Sequence, residues 1–349
     1  MKRKILWFSS TAVFLCILMV VFLLSWWNTD LLGRERFCDG MFSSSEVDAA
    51  LQGSGRLKQG KGYEEGSYFL RCELKRTSKF LGSPQPRVEV SIEFADGDDP
   101  FQSPVWQNRE RMSFTKSGLA GGATKKRAWV LLPSECWGKI PARKDSIPFV
   151  TTELSEGGNQ PESSDVSTSP DALMRLTYRA AQRILKNVQC STHGVRQKTS
   201  SGSLHLASAH MQRSHSKKLC GKPGLSLPTR ALPTARTKVG AERRTSEDAT
   251  VWSCDLYLQS QKRPSLTFSV SANQDVVEAV KKQKVSAEWD NGKVAGCKQG
   301  DLYIGLFAHD SYIEEFERGG KDYNEIIDDL LSSFVQVQER DSHWDECVS

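Results

Sequence analysis

No Gly-x-Gly-x-x-Gly opens a helix after a strand anywhere in the 349 residues, and no Gly-x-x-x-x-Gly-Lys-Ser/Thr loop occurs. The chain therefore lacks the usual backbone cradles for dinucleotides and nucleoside triphosphates. It also lacks a Gly-x-Ser-x-Gly elbow between an apolar strand and a helix. The stretches "GSGRL" (53–57) and "SSGSL" (200–204) stand in polar Gly/Ser contexts and read as turns. No Asn-x-Ser/Thr sequon is present, which favours a bacterial surface over a eukaryotic secretory one. A strong excess of one charge sign is missing too. The formal net charge is +5, and Lys2, Arg3 and Lys4 supply three of it, leaving +2 for the rest, which argues against a globally basic nucleic-acid binder. What is there, 38% hydrophobic and 26% charged residues, is the composition of folded material rather than disorder.

The N-terminus carries one long uncharged run. After "MKRK", residues 5–27 ("ILWFSSTAVFLCILMVVFLLSWW") contain no charge, and Trp7, Trp26 and Trp27 lie near its ends. At ~1.5 Å rise per residue that length suffices for a hydrocarbon core of about 30 Å, with tryptophans at the interfaces. A cleaved signal peptide would have a shorter apolar region and a small-x-small site before cleavage. The run predicts an uncleaved single-pass signal anchor over 5–27. The cluster Lys2-Arg3-Lys4 would keep residues 1–4 as a cytoplasmic tail and place everything after residue 27 outside.

Cysteine is abundant rather than scarce, and its spacing organises the rest. Outside the apolar run stand Cys38, Cys72, Cys136, Cys190, Cys220, Cys254, Cys297 and Cys347. An even count in an oxidising compartment reads as disulfides. Cys38 to Cys72 and Cys220 to Cys254 are both 34 positions; Cys136 to Cys190 is 54 and Cys297 to Cys347 is 50. Four plus four suggests internal repetition. "YFLRCEL" and "VWSCDLYL" each place apolar residues two before and two after the cysteine, and "RVEVSIEF" and "SLTFSV" alternate likewise, which reads as half-buried strands. Helical periodicity then precedes Cys190 (Leu173, Leu176, Ala180, Ile184, Val188) and Cys347 (Ile326, Ile327, Leu330, Leu331, Phe334). Starts are expected at Ser169-Pro170 and Lys321-Asp322. The expected fold class is α+β: one N-terminal transmembrane helix, then two repeated extracytoplasmic units, each an antiparallel sheet with a C-terminal helix and two disulfides. The expected boundaries are a first unit over 28–190 with a flexible insertion at 152–171, a linker over 191–204, and a second unit over 205–349. The favoured pairings, 38–72, 136–190, 220–254 and 297–347, are one set among the 105 that eight cysteines allow.

"RAWVLLPSEC", the cysteine-terminated amphipathic helix and the tandem four-cysteine layout after one N-terminal helix resemble a group of uncharacterised membrane-anchored proteins of Streptomyces and related actinobacteria. The resemblance spans nearly the whole chain, but its motifs are structural. The second half departs from it, with "KVSAEWDNGKVAGC" in place of "RAWVLLPSEC". The resemblance implies no catalytic residue.

Candidate chemistry is sparse. His205, His210, His215 and Cys220 are each five apart, and five residues turn a helix face by about 140°, so a regular helix would not converge them on one ion. They read as solvated linker histidines rather than a zinc set. Asp96, Asp98 and Asp99 lack the spacing of a calcium loop and read as a hairpin turn. Glu314, Glu315, Glu317, Asp328 and Asp329 could serve glycoside hydrolysis, but also suit the exposed side of an amphipathic helix. No catalytic, cofactor or metal site is assigned. Charge is distributed unevenly: residues 193–244 hold eleven Lys/Arg and one acid, Glu242, whereas residues 301–349 hold thirteen acids and three bases. This reads as a solvated linker and a solvated helix face; the functional alternatives are a basic surface facing anionic envelope polymers or lipid headgroups, or a mutual attraction that docks the two halves. The sequence thus predicts a membrane-anchored extracytoplasmic binding or scaffold protein of the cell envelope, engaging a membrane protein or an anionic envelope polymer, with no nucleic acid. The alternatives are an extracytoplasmic hydrolase of wall or glycan, or an accessory subunit of a membrane signalling or secretion complex.

Overall fold

Strand alternation generates most of the architecture. The computed structural model describes residues 13–23, 33–53, 55–60, 71–77, 86–95, 112–116, 118–140, 146–156, 168–190, 206–234, 237–258, 263–282, 292–297, 300–318, 323–340 and 347–348. A short ribbon, β1 (Arg36–Phe37) with β2 (Phe42–Ser43), leads into helix α1 (Ser44–Ala50). Seven strands then make the first sheet: β3 (Arg56–Gln59), β4 (Arg71–Thr77), β5 (Pro86–Ala95), β6 (Ser113–Phe114), β7 (Gly121–Ala123), β8 (Arg127–Leu131) and β9 (Ile147–Glu156). Their order is β3-β4-β5-β9-β8-β7-β6, all antiparallel. The inward residues of β4 and β5 (Cys72, Leu74, Val88, Val90) are fully buried under helix α2 (Pro170–Asn187), which lies across β8 and β9. The opposite face carries an ion network in which Glu89 meets Arg71 across β4 and β5 (2.6 Å) and Arg87 along β5 (3.4 Å), and Arg127 meets Glu153 across β8 and β9 (2.6 Å).

Helix α2 starts with Ser169 at the N-cap and Pro170 in the first turn, where a missing N–H costs nothing. Its Leu173, Met174, Leu176, Ala180, Ala181 and Leu185 are buried. Helix α1 is held by a reciprocal cap: Glu46 N–H donates to Ser43 Oγ (3.3 Å) and Ser43 N–H to Glu46 Oε2 (3.0 Å). At its other end the buried Arg76 guanidinium donates to the carbonyls of Leu51 and Gly55 and to Asp48, placing a cation at the helix C-terminus.

The second sheet comprises β10 (Ala209–Arg213), β11 (Val239–Thr245), β12 (Trp252–Leu258), β13 (Leu266–Ser271), β14 (Gly292–Cys297), β15 (Leu302–Ala308) and β16 (Cys347–Val348). Their order is β10-β11-β12-β13-β15-β14-β16, again antiparallel. Helix α3 (Gln274–Lys282) follows β13, and α4 (Asp310–Arg318) and α5 (Tyr323–Glu339) follow β15. Phe268, Leu306, Phe316 and Phe334 centre its core.

These findings correct the expected fold. Among the described residues no helix is long and apolar enough to cross a membrane. The eleven described helical residues 13–23 reach about 16 Å at 1.5 Å per residue, against a hydrocarbon core of about 30 Å. Residues 1–12 and 24–32, including the remainder of 5–27, lie outside the described residues. The chain is mostly sheet with three described disulfides, rather than a spanning helix followed by two copies of one unit. Its sheets differ in order, and among the described residues one helix follows the first where three serve the second. The insertion expected at 152–171 is corrected at both ends, because residues 152–156 belong to β9 and 170–171 to α2. The linker 191–204 lies outside the described residues.

Cys38 is bridged to Cys72, Cys136 to Cys190 and Cys220 to Cys254, with Cα–Cα distances of 6.2, 5.8 and 5.7 Å. Cys297 is also disulfide-bonded and stands in register opposite Cys347 across β14 and β16. Cys38 and Cys220 both adopt left-handed backbone, φ 51° and 56°, a conformation that costs a non-glycine residue about 1–2 kcal/mol. Each is held by its own N–H: Cys38 donates to Gln59 Oε1 on β3 and Cys220 to Glu242 Oε2 on β11, both at 2.9 Å.

The two sheets meet through α3. Its Val276, Val277, Ala279 and Val280 share one apolar cluster with Trp137, Ile140 and Tyr303. Asn273 Oδ1 caps the helix, accepting from Asp275 N–H (3.0 Å) and Val276 N–H (3.2 Å). Asp275 then reaches across the seam, where its Oδ1 accepts from the N–H (2.8 Å) and hydroxyl (2.9 Å) of Ser134. Nearby, Thr250 N–H donates to the Thr115 carbonyl (2.7 Å), and Lys116 pairs with Asp248 (2.8 Å), holding that carboxyl below the usual range.

Asp275→Ala leaves two donors of Ser134 unmatched and is expected to destabilise the chain by about 1.5–3 kcal/mol. A lowered denaturant midpoint checks this, and an unchanged midpoint contradicts it. Glu46 supplies a pH dependence. Burial pushes its carboxyl up, but hydrogen bonds from Ser43 and the Arg179 guanidinium outweigh burial and hold it below the ordinary range. Its contribution is therefore complete above the unfolded value of about 4.3 and is lost as pH falls through the lower folded value. Glu46→Ala should cost about 1 kcal/mol at neutral pH and flatten that part of the acid limb in a stability-versus-pH series.

Candidate functional site

The face of the second sheet turned away from its apolar core is polar, and it too is buried. Every residue of β12 and of β13 is buried, so both strands alternate between two covered faces. The reading of "WSCDLYL" and "SLTFSV" as half-buried is corrected accordingly: their polar members face a second packed layer, not water.

One row crosses this face. Register places Met211 opposite Arg243, Arg243 opposite Asp255, Asp255 opposite Thr267 and Thr267 opposite Phe307, from β10 to β15. Asp255 is completely buried and Arg243 nearly so, with Nη1 and Oδ2 at 3.6 Å. The Thr267 hydroxyl lies 2.9 Å from Asp255 Oδ1 and 2.9 Å from His309 Nε2. A hydroxyl has one proton, and the ionised carboxylate can only accept. Thr267 therefore donates to Asp255 and accepts from a protonated Nε2 of His309. Phe307 lies edge-on to the imidazole at 4.9 Å. The chain Arg243–Asp255–Thr267–His309 can hold an imidazole in one tautomer through a fixed hydroxyl. It offers no nucleophile of its own, because Thr267 sits in the middle of the relay with its proton directed at Asp255.

A second feature borders the same sheet. Glu242 is buried and accepts from Cys220 N–H (2.9 Å), Gln212 Nε2 (2.5 Å) and Ser214 Oγ (3.3 Å). The only acid of the basic run 193–244 thus serves the disulfide turn. Part of that run is neutralised internally: Arg230 pairs with Glu325 and Asp329 on α5, Lys222 with Glu247 (3.8 Å) and Arg244 with Glu242 (3.5 Å). Arg213, Lys217, Lys218 and Lys238 remain exposed, with His210 and His215 beside them, and none pairs with an acid among the described residues.

Among the described residues, those singled out in the sequence do not come together as a metal or catalytic centre. His210 lies on β10, His215 in the turn after it, and Cys220 is bridged to Cys254, while His205 falls outside the described residues. Asp96, Asp98 and Asp99 also fall outside them. Glu314 and Glu317 are exposed on α4 and Asp328 on α5, while Asp329 pairs with Arg230. Glu135 lies beside Cys136 and Cys190, but both sulfurs are committed to a disulfide. Sequence reading missed Arg243, Asp255, Thr267 and His309. The available signal was a charged residue standing inside strands otherwise built of apolar and small hydroxyl side chains.

No family model matches the chain, and no curated protein matches it. Two solved structures are weakly similar. "Structure of crystal form III of TP0453" is 13% identical, with 76% of this chain and 80% of that chain covered and a TM-score of 0.15. "Crystal structure of the di-domain ARO/CYC StfQ from the steffimycin biosynthetic pathway" is 10% identical, with 84% and 89% covered and a TM-score of 0.13. Likeness at that level bears on neither fold nor function.

Removing one member of the buried pair leaves the other charge uncompensated. Asp255→Leu or Arg243→Leu alone should destabilise by about 3–5 kcal/mol, whereas the double replacement should cost clearly less than the sum. A double-mutant cycle by denaturant unfolding checks this; additive losses would show that the pair is not coupled.

Proposed function

We propose that this chain is an extracytoplasmic binding or scaffold protein of the bacterial cell envelope, one that holds a partner rather than transforming it. The observation that carries this reading is that both sheets are fastened by disulfides at buried positions, Cys72 on β4 and Cys254 on β12. Such bridges persist in oxidising compartments and are rare where glutathione and thioredoxin keep thiols reduced. The partner chemistry follows from the exposed cations after β10: an acidic surface, on either an envelope protein or an anionic envelope polymer. The buried polar chain supports holding rather than turnover, because its groups are engaged with one another and His309 is only 9% exposed. Of the acids that a wall or glycan hydrolase would use, Glu314 and Glu317 are exposed on α4 and Asp328 on α5, while Asp329 is tied to Arg230.

The test uses the full chain purified without reductant and mixed with isolated cell envelopes. The expected outcome is co-sedimentation that weakens as salt rises, without release of reducing sugar or peptide, and with the bridged cysteines unreactive to thiol reagents until reduction. Release of soluble wall fragments, abolished by changing Glu314 and Asp328 to amides, would establish the hydrolase instead. Bridge cysteines that react before reduction would remove the extracytoplasmic reading.

A further inference from the structure

We propose that the outer edge of β10 accepts an acidic, extended polypeptide segment of the partner as an added strand. The proposal rests on the binding reading above and names the surface and the partner class. Among the described residues β10 is the first strand of its sheet, bonded on one side only, to β11. The phase of that ladder is fixed by one bond, Ser246 N–H to the Ser208 carbonyl at 2.9 Å, since Ser208 stands opposite Ser246 one step beyond the pair Ala209↔Thr245. Bonded and non-bonded pairs alternate along an antiparallel ladder. His210↔Arg244 and Gln212↔Glu242 therefore bond inward, while Ala209, Met211 and Arg213 direct their N–H and C=O groups outward.

The side chains along this edge agree. Met211 is 56% exposed at the centre of the strand, an unusual place for a large apolar side chain, and Arg213 is exposed on the same face. Lys217 and Lys218 follow in the turn. An edge protected only against aggregation carries charge, proline or a bulge within the strand. Here the cations sit at its end and beyond it, and among the described residues nothing bonds to the outer edge of Ala209–Arg213; that edge is occupied only just before β10, where Ala207 N–H donates to the Phe114 carbonyl (2.6 Å). Those cations repel the same edge of a second copy but attract a strand bearing carboxylates. A phosphate polymer offers acceptors alone and would leave the outward carbonyls of Ala209, Met211 and Arg213 unmatched; a polypeptide supplies both donors and acceptors. Between the two sources of negative charge, the edge selects the polypeptide.

The probe is a fluorescent octapeptide alternating Glu and Val, mixed with the full chain and followed by anisotropy. Its companions are the same peptide N-methylated at every second residue, a Lys–Val version, and inorganic polyphosphate. The Glu–Val peptide is expected to bind, more weakly as salt rises, and the N-methylated and Lys–Val peptides to bind at least about tenfold more weakly. The triple change Arg213→Glu, Lys217→Glu, Lys218→Glu should weaken the Glu–Val peptide by a similar factor. Met211→Pro removes an outward N–H without removing a bond to β11, the one setting in which a sheet tolerates proline. It should weaken the peptide and leave polyphosphate unchanged. Equal binding of the N-methylated peptide overturns the proposal without requiring any variant to fold. So does polyphosphate that displaces the peptide while Met211→Pro has no effect on it. If the peptide fails while the chain still co-sediments with envelopes, the β10 site alone is wrong; if both fail, so is the binding reading.

Discussion

Covering both faces of the second sheet is the constraint on which the rest of the structure depends. An antiparallel sheet ordinarily buries one face and wets the other. Here β12 and β13 are enclosed on both sides, so every polar group on the second face needs a protein partner or incurs the full loss of its hydration. Along one row Thr267 meets that requirement by bonding Asp255 and His309, while Arg243 faces the Asp255 carboxylate as a buried ion pair at 3.6 Å. The small hydroxyl residues around them, Ser253, Ser269 and Ser271, allow close approach and can satisfy themselves locally, as Ser271 does on the Thr250 carbonyl.

The same constraint explains helix α3. A helix between β13 and β14 lies where the sheet needs a cover, and its valines contact Tyr303 on one side and the Trp137 region on the other. Its N-terminal turn carries Asp275, whose carboxylate serves the backbone of the other half of the chain. One nine-residue element therefore closes a sheet face and fastens the seam. Lys282 at its end sits over the Trp137 ring at 5.2 Å, so both termini of the helix engage the 3-10 turn Ser134–Lys139.

Local periodicity was the legible part of the sequence. Strands β4, β5, β12 and β13 and helices α2 and α5 follow from residues that alternate or recur every three to four positions, and Pro170 announces the start of α2. Three things were not legible, for physical reasons. Whether the polar side of a strand is wet depends on what docks on it, which a period of two does not encode; Asp255 and Thr267 look the same in either case. Short strands such as β6, β7 and β16 have too few residues for a period to register. Gly121 and Gly122 show this at β7: added Cβ atoms would come within 2.5 Å of the Trp129 carbonyl oxygen and 2.6 Å of Met112 Sδ, a closeness set by tertiary packing. Apolar length, finally, measures capacity rather than structure: within the run over 5–27 the described helix covers residues 13–23 alone.

The left-handed cysteines carry a consequence for oxidative maturation. Gln59 and Glu242 grip the backbone of Cys38 and Cys220 through amide hydrogens, contacts that do not involve sulfur. Each turn can therefore aim its thiol at the neighbouring strand before any covalent bond exists. The effective concentration of one sulfur at the other is then set by an amide or a carboxylate on an adjacent strand, and the choice of partner among many thiols becomes a matter of backbone geometry settled ahead of the chemistry.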